Sequence, residues 1–437
     1  MNTLPKLLMK DKFPRLKAHP KYDNWMQWGK LISITGGSQV LIQIISFGCG
    51  IFIIRNFSIA EYAIYTLANT MLGAMTILAD GGIVSGVIAE GGKVWREKEK
   101  LGAVITTGMN LRKKFAIGSI LITGSVLVYL LMHNNASWYY ALLIVLSLIP
   151  VFYANLSDAI LEIAPKLHQD IKPLQKNQLM ANFGRLLLTV PAVFFIPFTP
   201  IAIIATGIPR IIANIKLKKI ANKFLSPNQE DIGIQKNILQ MVKRILPVEV
   251  YNIFSTNITL WILSIVGATA SIAQVGALFR IGAVLSLLTI VFNTIIVPRY
   301  SRLLEHKGDL QKKMLQIQML LLGVSLTIVF FSWLLSSQII WLLGNNYKNL
   351  DLELVLTVII FCLNIMATII YTLCRARGWV INPILSIGIN LGSILLGAFI
   401  FDIISLKGIL IFNIMVSAVL VVMHSGYSYY RLHQLKV

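Results

Sequence analysis

Twelve runs of mostly apolar residues, each about as long as a bilayer is thick, constrain this chain more than any other feature of its sequence. Crossing the hydrocarbon core of a membrane takes about 20 consecutive apolar residues in a helix. Backbone polar groups inside a membrane are satisfied only in helices or closed barrels. The runs therefore predict an all-α integral membrane protein with twelve transmembrane helices. They lie near residues 31–54, 62–88, 114–132, 138–160, 179–196, 201–215, 246–266, 272–297, 314–335, 352–374, 380–401 and 408–427.

The composition agrees with this prediction and excludes several other classes of protein. Hydrophobic residues make up 56% of the 437 residues and charged residues only 13%, and the mean hydropathy is +0.74. Soluble domains carry about 25% charged residues, so a soluble enzyme, a disulfide-rich secreted domain and a disordered chain are excluded. The three cysteines fall in apolar runs without metal-ligand spacing, and the sequence predicts no metal site.

The basic residues are distributed unevenly between the two sides of the predicted membrane domain. If the N-terminus is cytoplasmic and the helices alternate, 34 of the 39 Lys and Arg residues lie on the cytoplasmic side. Only Arg55, Lys348 and Lys407 fall in outer loops, while Arg185 and Arg280 fall within helices. The positive-inside rule then predicts that both termini are cytoplasmic. The net charge of +21 is explained in this way without a nucleic-acid partner.

The two halves of the chain resemble each other at one hairpin. The segment 58–65 (SIAEYAIY) lies between predicted helices 1 and 2, and 271–278 (SIAQVGAL) lies between helices 7 and 8. Six helices in each half predict two lobes related by a pseudo-two-fold axis along the membrane normal, as in several transporters. The predicted organisation is a basic cytoplasmic segment, an N-lobe with helices 1–6, a cytoplasmic connector, and a C-lobe with helices 7–12 and a short tail. Their bounds are 1–30, 31–215, 216–245 and 246–437.

Charged residues inside predicted helices are the first candidates for a substrate site, because each costs about 2.5–3.5 kcal/mol to insert. Arg280 lies about eight residues from the outer end of helix 8, roughly 12 Å deep, where it either pairs with a carboxylate or faces a cavity. Arg185 lies about two turns from the cytoplasmic end of helix 5 and could instead reach the headgroups. Asp80 and Glu249 also lie toward cytoplasmic ends, either as substrate contacts or as caps and ion-pair partners.

Uncharged polar residues predict the rest of the lining. Gln39, Gln43 and Ser46 follow the i, i+4, i+7 spacing of one helix face, which has to meet protein or water rather than lipid. Asn257 on helix 7 invites the same interpretation, and hydrogen bonding between helices is the alternative for each of these residues. We expect a polar cleft between the lobes, with Arg280 as its positive charge.

The sequence lacks three common motifs of nucleotide-binding and metal-dependent enzymes. It has no Walker A motif, no dinucleotide-binding glycine fingerprint and no His-Glu-x-x-His pair. We therefore predict a transporter rather than an enzyme, with no cofactor. A coupling ion, Na⁺ or H⁺, is left open.

Several short motifs, in order, resemble one branch of a transporter superfamily. They are Arg55-x-Phe57-x-x-x-Glu61-Tyr62-Ala63-x-Tyr65, Leu78-Ala79-Asp80-Gly81-Gly82, Val297-Pro298-Arg299-Tyr300-Ser301-Arg302-Leu303 and Leu342-Leu343-Gly344-x-x-Tyr347. The chain resembles the polysaccharide-transport branch of the multidrug/oligosaccharidyl-lipid/polysaccharide exporter superfamily over about residues 30–435. It differs from that branch at Leu278, where a tyrosine is common, and near Thr259, where helix 7 lacks an acidic residue.

This resemblance implies a function for the predicted cleft. A flippase of this branch moves an undecaprenyl-diphosphate-linked oligosaccharide, an O-antigen or capsule repeat unit, from the cytoplasmic to the outer leaflet of the bacterial inner membrane by alternating access. Arg280 would hold the diphosphate, amides would meet the sugars, and Arg55 would lie at the outer mouth. The implied partners are membrane lipids, a polysaccharide polymerase and glycosyltransferases.

Three alternatives are weighed against the flippase. A cation-coupled multidrug exporter of the same superfamily would use a buried acidic residue in the outer half of helix 1 or helix 7, and the sequence has none there. A membrane polysaccharide polymerase or ligase would need large, basic outer loops, and those predicted here are short. A peptidoglycan-precursor flippase is a close relative for which more than twelve helices would be expected.

Overall fold

The described part of the chain is helical almost throughout. The computed structural model describes residues 22–226, 229–301, 307–377, 379 and 381–434, and no strand occurs among them. The α-helices are α1 (Tyr22–Asn56), α2 (Ile59–Asp80), α3 (Ile83–Lys93), α4 (Lys98–His133), α5 (Trp138–Leu161), α6 (Ile163–Leu167), α7 (Ile171–Phe195), α8 (Thr199–Ala221), α9 (Ile232–Val266), α10 (Thr269–Ser301), α11 (Lys307–Leu334), α12 (Ser336–Leu343), α13 (Asp351–Arg375), α14 (Pro383–Ile400) and α15 (Leu406–Gln434).

Twelve of these helices are long, as the sequence predicts. Within the described residues, eleven are long and apolar enough to cross a membrane, and the exception is α9, which carries polar residues along its middle. The protein is therefore a multi-pass membrane protein. Of the predicted basic segment 1–30, residues 1–21 lie outside the described part and the remainder opens α1. The predicted connector 216–245 is narrower in the structure, because α8 continues to Ala221 and α9 begins at Ile232.

Short local sequence signals set the ends of the helices at the repeated hairpin. Ser58 caps α2 by accepting a hydrogen bond from the Glu61 backbone N–H at 3.2 Å, a common N-cap arrangement. The end of α2 is a break at two glycines with left-handed backbone, Gly81 with φ of 49° and Gly82 with φ of 97°. In the C-lobe, α10 runs on without interruption to Ser301. The related hairpins therefore differ at both ends, because Ser271, the counterpart of Ser58, lies inside α10.

The helices form two lobes of six long helices each, which fits the predicted pseudo-two-fold arrangement. In the N-lobe, α1 packs on α7, α7 on α8, α8 on α5 and α5 on α4 and α2. In the C-lobe, α13 packs on α10, α11 and α15, and α15 also packs on α14. The lobes meet mainly where α10 contacts α1 and α2, and where α9 contacts α2, α3 and α4.

The two ends of the bundle differ in how tightly the lobes join. We call the end with the short turns at 57–58, 134–137, 196–198, 267–268 and 401–405 the hairpin end, and the opposite end the basic end. At the hairpin end one apolar core runs through both lobes, from Ile53 and Tyr62 to Leu278 and Tyr347. Nearer the basic end the described cores of the two lobes are separate, apart from the start of α9, which packs against α3 and α4. The lobes are thus closed on each other at the hairpin end.

One sequence-based interpretation of the basic end is wrong. The stretch 89–113 is amphipathic and basic, which by itself predicts a helix lying on the surface of the inner leaflet. In the structure α3 ends at Lys93, and α4 begins at Lys98 and continues without a break for 36 residues to His133. Its basic first turns belong to a membrane-spanning helix because Leu101, Val104 and neighbouring apolar residues are buried against the N-lobe.

Candidate functional site

A cavity of about 430 Å³ lies inside the N-lobe, enclosed by α1, α2, α5, α7 and α8. Its walls carry amides and charged groups in place of the apolar side chains that face lipid. The polar lining residues are Gln39, Ser46, Asn69, Asn155, Asp158, Glu162, Asn177, Gln178, Asn182, Arg185, Thr206 and Arg210. A polar interior within hydrocarbon is costly and is the usual mark of a substrate pathway.

The two carboxylates of this cavity are both satisfied by neighbours. Asp158 pairs with Arg210, with 3.2 Å between Arg210 Nε and the carboxylate, and it accepts a hydrogen bond from Asn214 at 2.6 Å. Glu162 pairs with Lys166 at 2.6 Å and accepts a hydrogen bond from Gln178 Nε2 at 2.9 Å. The negative charges in the wall are therefore each matched by a positive charge.

Arg185 is the positive charge of the cavity that no carboxylate matches. Its Nε is buried without a hydrogen-bond partner, and among the described residues it forms no ion pair. The sequence placed it about two turns from the end of its helix, but α7 begins at Ile171, so Arg185 lies 14 residues in, about 21 Å along the helix. Arg185 lines the N-lobe cavity, as its interpretation as a substrate-site residue requires.

The polar face predicted on α1 contacts both the N-lobe cavity and the C-lobe. Gln39 Nε2 lies 3.3 Å from Gln178 Oε1, and Ser46 Oγ donates to Asn182 Oδ1 at 3.4 Å, so both line the N-lobe cavity. Gln43 instead donates from Nε2 to the Ala283 carbonyl of the C-lobe at 2.8 Å. Of the three residues on this face, Gln39 and Ser46 line the cavity together with Arg185, and Gln43 does not.

Arg280 lies at the junction of the lobes and not among the residues that line the N-lobe cavity. On α10, its guanidinium interacts with the hydroxyls of Tyr62 and Tyr65 at the start of α2. Its side chain crosses the backbone of Gly50 on α1, where an added Cβ would come within 3.3 Å of Arg280 Cδ. Of the two alternatives left open for Arg280, the carboxylate partner is not what the structure shows, because two tyrosines occupy that place. The structure holds Arg280 between the lobes, below the closed hairpin end.

Three other predicted site residues have local partners or none. Asp80 pairs with the buried Arg112 at 3.2 Å and accepts hydrogen bonds from the Gly82 and Val84 N–H groups, which caps α3. Asn257 donates to the Ile253 carbonyl of its own helix at 2.8 Å. Glu249 is half-buried in the middle of α9 and forms no ion pair within the described residues. None of the three lines the cavity.

Arg55, predicted at the outer mouth, joins the two lobes at the hairpin end. Its Nε donates to the Leu342 carbonyl at 2.9 Å, its Nη2 donates to the Trp341 carbonyl at 2.7 Å, and its guanidinium lies 4.9 Å from the centre of the Trp341 ring. Gly344 has φ of 101° and approaches the Arg55 side chain closely. The residue therefore ties α1 to α12 while remaining exposed.

A second tie between the lobes lies at the same end. Asn134 Nδ2 donates to the Ser264 carbonyl at 3.0 Å and to Ser264 Oγ at 2.9 Å. Thr269 Oγ1 donates to Asn134 Oδ1 at 3.1 Å, and His133 Nε2 lies 2.8 Å from the Ile265 carbonyl. These bonds join the end of α4 to the turn between α9 and α10.

Sequence reasoning identified Arg185 on α7 but missed the amides that α7 and α5 add to the site, namely Gln178, Asn182 and Asn155. Gln178, Asn182 and Arg185 have the same i, i+4, i+7 spacing that drew attention to α1, and Asn155, Asp158 and Glu162 follow i, i+3, i+7. Applying the same polar-face criterion to every apolar run would have found both helices. It would not have shown that they face α1.

Comparisons with known proteins support the fold. No protein-family model and no curated protein matches the sequence. Among solved structures, the chain is similar to a multidrug resistance MATE family transporter of the MOP superfamily in an inward-facing conformation. The TM-score is 0.71, the identity 12%, and the match covers 90% of this chain and 95% of that one.

Two further structures extend this comparison. An outward-facing conformation of a multidrug resistance MATE family transporter gives a TM-score of 0.61 at 12% identity, covering 93% of this chain and 96% of that one. A MOP superfamily transporter from Pyrococcus furiosus, described by a binding pocket of reverse polarity that suggests a different function, gives 0.54 at 12% identity, covering 93% and 97%. At identities this low the comparisons show the fold alone.

Proposed function

We propose that this protein is a flippase for a lipid-linked oligosaccharide, which it moves across the bacterial inner membrane by alternating access. The observation that carries the proposal is the unpaired Arg185 in a cavity whose other charged lining residues already have partners. An undecaprenyl-diphosphate-linked oligosaccharide has the complementary chemistry: an anionic diphosphate, a hydroxyl-rich glycan and an apolar tail.

The charges of the cavity favour an anionic substrate. An arginine offers several N–H donors in a planar fork that matches phosphate oxygens. A diphosphate beside Arg185 would supply the hydrogen bond that its buried Nε lacks. Gln39, Gln178 and Asn182 offer amide donors and acceptors suited to sugar hydroxyls.

Alternating access is supported by the contrast between the two ends. The continuous core and the Arg55 and Asn134 bonds close the hairpin end, while the described cores are separate toward the basic end. The higher TM-score to an inward-facing than to an outward-facing transporter agrees with this. With the basic end cytoplasmic, the cavity loads from the inside. Parting the hairpin end would then free Arg280 from its tyrosines to receive the diphosphate.

The second candidate is a cation-coupled multidrug exporter, which is favoured by the multidrug transporters among the structural neighbours. A cationic drug needs a carboxylate that can exchange its partner for the drug. The charge of Asp158 is already balanced by Arg210, and the charge of Glu162 by Lys166, so neither carboxylate is free to bind a cationic drug. The cavity of this chain therefore suits an anion better than a cation.

Transport measured in proteoliposomes tests the proposal directly. We expect wild-type protein to move a lipid-diphosphate-linked glycan between leaflets, and Arg185→Gln to slow this at least about 100-fold, because two or more charge-assisted hydrogen bonds to phosphate are lost. Arg96→Gln is the matched control, since Arg96 lies between α3 and α4 over Trp95, far from the cavity, and should transport as wild type. Movement of a cationic dye that depends on Asp158, with no glycan movement, would decide for the multidrug exporter.

A further inference from the structure

A second concavity, of about 220 Å³, lies on the outer face of the N-lobe between α7 and α8. We call it the α7–α8 groove. Its apolar walls are formed by Met180, Leu187 and Leu188 from α7 and by Pro209 and Ile212 from α8. Most of these side chains are exposed on the surface that faces lipid. The groove is therefore a place where an apolar chain can lie against the protein.

The α7–α8 groove and the N-lobe cavity share one wall. Asn177, Ala181 and Ala213 line both of them. Asn177 Nδ2 donates to the Ala213 carbonyl at 2.9 Å, so a single hydrogen bond between small residues joins the helices at this point. Deeper in the membrane Gly184 lies so close to Pro209 that an added Cβ would be 3.1 Å away, which seals the seam there. A molecule that crosses the seam has to do so near Asn177.

The polar end of the α7–α8 groove carries a positive charge. Lys216 lines the groove near its basic end and is exposed, while the next residue, Leu217, lines the cavity. From Asn177 to Leu188 the groove follows α7 for 11 residues, about 16 Å, which is roughly half the thickness of a hydrocarbon core. It thus runs from a cation near the membrane surface to the middle of the bilayer.

We infer that the α7–α8 groove holds the polyprenyl tail of the substrate while its glycan occupies the cavity and its diphosphate lies between Lys216 and Arg185. This inference rests on the proposed function. The two spaces lie on opposite sides of the wall closed by the Asn177–Ala213 hydrogen bond, so one molecule reaches both once that bond parts. Lys216 lines the groove and Arg185 lines the cavity, so an anionic linker that crosses the wall has a cation on each side. A phospholipid would fill the groove but leave the sugar-binding cavity empty.

Site-specific photo-crosslinking tests the occupant. A benzophenone amino acid is placed at Leu188, which is 40% exposed in the α7–α8 groove, or at Leu322 on α11, which is 44% exposed and lines neither concavity. A radiolabelled polyprenyl-diphosphate disaccharide is added in phospholipid vesicles. We expect about tenfold more capture at position 188, displaced by excess unlabelled compound, in line with the burial of a few methylene groups. Equal capture at the two positions, or capture that excess compound does not displace, overturns the inference.

A substitution that fills the α7–α8 groove provides a second test. Leu188→Trp should weaken binding of the polyprenyl-linked disaccharide by about tenfold and leave binding of a tail-less diphosphate disaccharide unchanged, whereas Leu322→Trp should alter neither. Wild-type binding of both compounds by Leu188→Trp overturns the groove assignment alone. If the tail-less compound fails to bind wild-type protein, or binds Arg185→Gln equally well, the proposed function itself is wrong.

Discussion

The interiors of the two lobes bury different kinds of polar group. In the N-lobe, Arg185 and the pair of Asp158 and Arg210 line an open cavity. In the C-lobe, the hydrogen bonds that join α9, α13 and α15 connect neutral groups, with Thr259 donating to Asn413 at 2.9 Å and Asn364 donating to Ser417 at 3.1 Å. Because charge is far more costly than an amide in hydrocarbon, the N-lobe bears the larger cost. Under the proposed function we therefore expect the N-lobe cavity, with Arg280 at the junction of the lobes, to recognise the substrate and the C-lobe bonds to serve packing.

The largest effect should follow from breaking the ion pair that supports the N-lobe. Arg112 is buried, with 2% of its surface exposed, and it donates to the Leu156 carbonyl at 2.6 Å as well as pairing with Asp80. Arg112→Ala should lower the free energy of unfolding by about 3 kcal/mol, since removing one partner leaves polar groups without compensation. Chemical unfolding in detergent measures it. A loss below about 1 kcal/mol would show that charged pairs do not hold this lobe together.

A smaller effect is expected where the lobes meet at the hairpin end. Asn134→Ala removes the bonds to Ser264 and Thr269, so the closed hairpin end should lose population relative to the open one by about tenfold. Distances between spin labels on Asn56 and Lys348, on opposite lobes, report the two states. The comparison variant is Asn349→Ala, a turn residue with φ of 66°, for which no bond between the lobes is seen within the described residues. An unchanged distance distribution in Asn134→Ala would mean that the apolar core alone holds this end closed.

The architecture could be predicted from the sequence because it depends on signals that are local. Runs of apolar residues and the positions of Lys and Arg fix where helices lie, and the structure confirms twelve long helices in two lobes. The break between the predicted helices at 114–132 and 138–160 is also confirmed, with Asn135 in the turn at φ of 63°. Helix ends beyond the apolar runs were missed because charged turns such as Lys98–Lys100 continue a helix without any hydropathy signal.

The site was predicted only in part because it depends on which helix faces which. Gln39 and Arg185 were both identified from the cost of burying polar groups, and the structure brings them to one cavity. Arg280 was expected to share it, but no local pattern reveals that α10 turns this residue toward Tyr62 and Tyr65. These contacts depend on which distant helices pack together. The spacing of residues in a single sequence does not show that packing.

The smallest effect tests the assignment of the C-lobe to packing. Asn413→Ala removes the acceptor of the Thr259 hydroxyl, and hydrogen bonds between membrane helices contribute about 0.6 kcal/mol on average. The free energy of unfolding should therefore fall by about 0.6 kcal/mol. Glycan transport should stay within about twofold of wild type, because the missing bond lies outside the N-lobe cavity. Transport assays at temperatures well below the unfolding transition separate the two effects. If transport falls more than about tenfold with stability intact, the neutral groups between α9 and α15 contact the substrate or a coupling ion, and recognition is shared by both lobes.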